Sequence, residues 1–81
     1  MTVPEVLPIV REYYSRPGNG VGGSLHIVLD DGNVSNADVL FCIRCAEEKG
    51  DKAGVELGEI LLGMSRTQRL KIYRSPATSA W

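Results

Sequence analysis

The stretch EEKGDKAG, residues 47–54, constrains the fold more than any other part of the chain. A glycine followed directly by an aspartate closes one helix and opens the next. Gly50 can take the left-handed backbone that ends a helix, and Asp51 offers a side-chain oxygen to the free amides of the one that follows. Upstream, Ser35 with Asp38 fits a capping box and predicts a helix from about Asn36 to Lys49. Downstream, a helix opened by Asp51 and running through Met64 carries its apolar stripe on Leu57, Ile60, Leu61 and Met64. With so short a connection, the two helices fold back on each other as an antiparallel hairpin. Gly54 and Gly58, one turn apart, each cost about 1 kcal/mol against alanine, which is consistent with a second backbone packing closely there.

Helical signals continue on both sides. Pro4 to Tyr14 reads as a short helix with Val6, Ile9, Val10 and Tyr13 on one face, weakened by the missing amide of Pro8. Ser65-Arg66-Thr67-Gln68 is a second capping box, opening a basic helix to about Arg74 that Pro76 ends. Leu25 to Leu29 fits either a strand or a two-turn helix capped by Ser24. The helix is preferred because no second convincing strand is present to pair with it. The expected fold is therefore all-α: a compact bundle of four to five short helices, with a glycine-rich loop between the first and second. Residues 1–74 form the single expected domain and residues 75–81 a flexible tail.

At 81 residues, with 43% apolar and 23% charged side chains, the chain supports one small core rather than a core plus a deep cleft. Its stability is expected to be modest, a state that a partner or self-association would supplement. Charge is uneven although the net is only −1. Residues 24–59 carry eight acidic and three basic side chains, whereas residues 60–81 carry four basic and no acidic ones. Such asymmetry steers charged partners. No secretory signal pattern or bilayer-length apolar run stands out, so a cytoplasmic location with reduced cysteines is expected.

Several motifs invite chemistry. Gly18, Gly20 and Gly23 match G-x-G-x-x-G, but the fingerprint requires a strand before it, a long helix after it and a βαβ unit around it. A flexible or tight-turning connection explains the glycines better, and no cofactor is expected. Cys42 and Cys45 form C-x-x-C, half a zinc site, with His26 as the one histidine available to join them. Mid-helix placement and a shared face with Val39, Ile43 and Ala46 favour a core role over metal or redox work. His26 also precedes Asp30 and Asp31, yet no nucleophile is recognisably placed with them, and the Asp-Asp-Gly-Asn run lacks calcium-loop spacing. The chain is therefore not expected to be an enzyme.

GMSRTQRLKIYR, residues 63–74, is similar to the second half of a helix-turn-helix reader, presenting Arg66, Gln68 and Arg69. It departs from that pattern at Glu59, where a small apolar residue is usual, and at Arg69, where an aliphatic is usually buried. GGSLHIVLDDGN, FCIRCAEEKGD and LLGMSRTQR together resemble a class of small uncharacterised phage and prophage proteins, over roughly Tyr13 to Tyr73. That resemblance implies no activity or cofactor. It implies a context in which small accessory proteins bind and redirect host proteins, including components of antiviral defence. The expected function is a non-enzymatic interaction module binding a host protein through an acidic set, Asp30, Asp31 and Asp38, and a basic set, Arg66, Arg69, Lys71 and Arg74. The alternative is a small DNA-binding regulator using the final basic helix.

Overall fold

A computed structural model gives the fold and describes residues 1–17, 24, 25, 28 and 32–75. Among these there are four helices and no strand: α1 (Val3–Ser15), α2 (Asn36–Lys49), α3 (Lys52–Leu62) and α4 (Arg66–Tyr73). The glycine-rich loop, most of the 25–29 segment and the tail beyond Ser75 lie outside the described residues. Of that 25–29 segment, Leu25 and Val28 are fully buried, and the Val28 amide donates to the Leu25 carbonyl at 3.2 Å.

Local sequence explains each helix end. The Glu5 carboxylate accepts from both the amide and the hydroxyl of Thr2, each at 2.9 Å, and these bonds hold its pKa below the usual range. Pro4 stands in the first turn of α1, where its missing amide is harmless, and α1 continues through Pro8. Ser35 accepts from the Asp38 amide at 3.2 Å and donates its hydroxyl to Asp38 Oδ2 at 2.6 Å. At α4 the capping box closes in both directions: Gln68 N–H to Ser65 Oγ at 3.2 Å, and Ser65 N–H to Gln68 Oε1 at 2.9 Å.

The Gly50-Asp51 corner completes a Schellman turn. Gly50 has φ +70° and donates to Glu47 O at 3.1 Å, while the Asp51 amide reaches back to Ala46 O at 2.8 Å. Asp51 Oδ1 then accepts the Gly54 amide at 2.9 Å and starts α3. The hairpin is antiparallel. A Cβ built on Gly54 would lie 3.1 Å from Ala46 Cβ, and one on Gly58 only 2.5 Å from Ile43 Cγ1, so the register runs in opposite directions along the two helices. The two glycines allow the α2–α3 approach that their spacing predicts.

Helix α1 lies against α3 and α4 and closes the core. Val6, Val10, Leu25, Val28, Val34, Val39, Cys42, Leu57, Leu61 and Ile72 form its centre, with Tyr13, Tyr14 and Met64 at its edge. Three details differ from expectation. Helix α3 stops at Leu62, and Met64 is buried in the turn before α4 instead of ending the helix. Tyr14 rather than Ile9 completes the buried stripe of α1, its ring edge-on to Tyr13 with centroids 5.6 Å apart. Ser75, expected in the tail, is buried and donates its hydroxyl to Ile72 O at 2.6 Å.

Candidate functional site

The four basic residues of the last helix do not act as one set. Arg66, Lys71 and Arg74 are exposed, whereas Arg69 is 2% exposed and belongs to the interior. Its Nε donates to Leu61 O at 2.7 Å, Nη1 to Val34 O at 2.7 Å, and Nη2 to Asn36 Oδ1 at 2.7 Å and Leu62 O at 3.1 Å. This corrects the expectation that Arg69 contributes to a basic surface. The reason is helical geometry: Arg69 and Ile72, three residues apart, share the inward face of α4. The last carbonyls of α3, which have no partner within their own helix, require a donor there. A guanidinium satisfies several of them at once, and its positive charge suits the negative end of the α3 dipole. Burial lowers the pKa of Arg69, and all four of its acceptors are uncharged.

The withdrawal of Arg69 leaves Arg66, Lys71 and Arg74 on the outer side of a helix with no acidic residue. Among the described residues the ion pair within 4.0 Å is Arg16 with Glu12, so these three cations are not neutralised by one. A groove of about 490 Å³ lies beside Arg66, lined also by Ser35, Asn36, Leu62, Met64, Ser65 and Arg69. It brings Arg66 next to the start of α2. Asp38, in the first turn of α2, is partly exposed and engaged with Ser35. Asp30 and Asp31 lie outside the described residues. Their neighbour Gly32 has φ +74°, as the Asp-Gly-Asn turn signal requires, and a Cβ placed there would meet the Tyr73 ring at 3.1 Å.

Cys42 is fully buried with Val39 and Ala46, and Cys45 is partly exposed; neither is in a disulfide. Burial pushes the Cys42 thiol up to about 11, with Cys45 and Asp38 adding to the shift and a hydrogen bond to the Val28 backbone opposing it. Such a thiol is protonated at neutral pH and is a poor nucleophile. Among the described residues no three His, Cys, Asp or Glu side chains converge as metal ligands, and His26 lies outside them. The described helices include none long and apolar enough to cross a membrane.

One surface feature was not read from the sequence. Leu40 and Phe41 are 50% and 53% exposed on the outer side of α2, beside Ala37 and Arg44. The signal was available in the helical period, because Val39, Cys42 and Ala46 take the inner face and put Phe41 on the opposite side. Scans against protein-family models, curated proteins and solved structures return no match for this chain.

Proposed function

We propose that this chain is a non-enzymatic interaction module of the phage accessory type, which binds an acidic surface of a host protein and in that way inhibits or redirects it. The observation that carries the reading is the outward trio Arg66, Lys71 and Arg74 on a helix without acidic residues, anchored from within by Arg69. Three cations held on a rigid, capped helix lose little conformational freedom on binding beyond that of their own side chains. They also speed encounter with a negative surface. Asp38, in the first turn of α2, supplies a charge of opposite sign that selects among acidic partners. Asp30 and Asp31 extend this acidic set on the strength of the sequence alone. The non-enzymatic character rests on the commitments of the reactive groups: Cys42 is held protonated in the core, and Asp51 caps α3.

The test is affinity purification from host lysate with the wild-type chain and with the charge reversal R66E/K71E/R74E, whose circular dichroism should match wild type. A host protein retained by wild type and lost with the variant supports the reading. Retention by both removes the basic face from it.

A second reading, a DNA-binding regulator, is favoured by one specific arrangement. Helices α3 and α4 are joined by the three residues Gly63–Ser65, and Gly58, Met64, Arg69 and Ile72 are buried while Arg66, Thr67 and Lys71 are exposed. That burial pattern suits a recognition helix offered to a major groove. A duplex-DNA titration at low salt decides it. Binding that weakens with a log–log salt slope near −3 matches three phosphate contacts, and no binding at high micromolar protein eliminates it.

A further inference from the structure

The groove of about 490 Å³ is bordered by both α2 and α4, through Asn36 on one side and Ser65, Arg66 and Arg69 on the other. The polar side chains around it are set as donors. Arg69 Nη2 donates to Asn36 Oδ1 at 2.7 Å, and a guanidinium can meet only the oxygen end of an amide. That contact fixes which way Asn36 is turned and directs its Nδ2, with two hydrogens, away from Arg69. The Ser65 hydroxyl accepts the Gln68 amide at 3.2 Å and keeps its own hydrogen to give. Among the described residues neither Asn36 Nδ2 nor the Ser65 hydroxyl hydrogen has an acceptor, and Arg66 has no ion pair. Asp38, in the first turn of α2, accepts the Ser35 hydroxyl at 2.6 Å and does not line the groove.

Charge decides what such a donor set holds. Arg69 is 2% exposed, yet its acceptors are three carbonyls and one amide oxygen, so no carboxylate among the described residues cancels its charge. A buried cation without a counter-ion is costly, and an anion seated beside it relieves that cost. We propose that this groove is a binding site for a phosphate-type oxyanion. Arg66 makes the ionic bond from the rim, and Asn36 Nδ2 and Ser65 Oγ donate neutral hydrogen bonds. Arg69 supplies charge from the interior and holds Asn36 in its donating orientation. A tetrahedral phosphoryl group has oxygens on several sides and so uses donors from both helices at once, where a carboxylate offers two oxygens in one plane. The positive ends of the α2 and α4 dipoles reinforce the choice of an anion. Arg66 also belongs to the basic face, but Lys71 and Arg74 do not line the groove, so the site stands apart from that reading.

Amide NMR spectra of the full chain, recorded during titration with inorganic phosphate at neutral pH and constant ionic strength, test the proposal. The signals of Asn36, Ala37, Arg66 and Thr67 should shift together and saturate, with a dissociation constant of about 1–10 mM. Methyl phosphate, run in parallel, separates the sources: a matching response marks an esterified phosphoryl group as the ligand, and a response to inorganic phosphate alone marks the free ion. N36D keeps an oxygen for Arg69, so its fold should hold, but it exchanges the amide donor for a negative charge and should weaken phosphate binding at least about tenfold. R66A, on the exposed side of α4, should weaken it at least about fivefold with an unchanged melting temperature. K71E/R74E removes the rest of the basic face and should leave phosphate affinity within about threefold, so this site and the acidic-partner reading fail separately. Shifts that chloride reproduces, a response that does not saturate by about 50 mM, or phosphate binding unaffected by R66A and N36D overturns the proposal.

Discussion

The Tyr13 hydroxyl donates to Asp51 Oδ2 at 2.8 Å while the other oxygen of the same carboxylate accepts the Gly54 amide at 2.9 Å. One side chain thus caps α3 and fastens α1 to the corner of the hairpin. Tyr13 is 2% exposed, and burial together with the neighbouring Asp51 carboxylate holds its hydroxyl in the neutral, donating form. Tyr13→Phe removes the donor and keeps the ring, and should cost about 1–2 kcal/mol in urea unfolding. Asp51→Ala removes both bonds at once and should cost more, about 2–3 kcal/mol. The double variant should cost less than the sum of the two single changes, because the Tyr13–Asp51 bond is already lost in Asp51→Ala and only the bond of Tyr13 with Ser24 remains to lose.

Arg69 holds together three parts of the chain that are distant in sequence: the end of α3, the segment before α2, and α4 itself. Arg69→Met fills much of the volume but leaves the carbonyls of Leu61, Leu62 and Val34 without this donor. A loss of at least about 3 kcal/mol is expected. Arg69→Lys should rescue only a minor part of it, because a single ammonium nitrogen cannot span acceptors that a planar guanidinium reaches from three nitrogens. Thermal unfolding of the two variants beside wild type checks this, and a near-wild-type melting temperature for Arg69→Lys would contradict the geometry. Arg66→Ala, on the exposed side of the same helix, should change stability by no more than about 0.5 kcal/mol.

Gly58→Ala sets two effects against each other. Alanine improves helix propensity by about 1 kcal/mol. Its Cβ, however, would lie 2.5 Å from Ile43 Cγ1, inside contact distance, so the Ile43 side chain must leave its position or the two helices must move apart. Overpacking of this kind costs about 1–3 kcal/mol, so the net change should be destabilising. Combined with Ile43→Ala, the substitution should be better tolerated than in the wild-type background, and a double-mutant cycle measures that coupling.

Stability should fall at alkaline pH. The Cys42 thiol is pushed up to about 11 in the fold, chiefly by burial, while the unfolded chain releases its thiol proton near the ordinary cysteine value. A group raised on folding contributes stability that is fully present below its unfolded pKa and lost as pH rises through the folded one. The loss for Cys42 should therefore run from about pH 9 to about pH 11 and amount to roughly 2–3 kcal/mol. Tyr13 is also raised and adds to the decline at higher pH. Cys42→Ala should flatten the lower part of this slope in urea melts between about pH 8 and pH 11. An unchanged slope would mean that Cys42 is not its source.

Much of the helical architecture was legible because its signals are local. The serine and aspartate caps, the Gly50 stop and the apolar period of each segment act within a turn or two, and they set α2, α3 and α4 to within a few residues. The Gly54 and Gly58 spacing likewise announced a close helix pair, since a missing Cβ at one-turn intervals matters only where another backbone approaches. The candidate basic site was read less well: composition counted four cations at the C-terminal end but carried no information on which side of α4 each would occupy. The helical period pairs Arg69 with Ile72 on one face, but the three carbonyls and the Asn36 amide oxygen that allow a charged side chain to be buried there lie 7 to 35 residues away in the chain, where no local rule reaches. For Leu40 and Phe41 the helical period put Phe41 opposite the inner face, but only the packing of the other helices decides whether that side is covered. The sequence by itself determined where helices start, stop and turn, through interactions within a few residues. Only the tertiary structure decided which side chains face out, because that depends on the acceptors and packing surfaces brought together from distant parts of the chain.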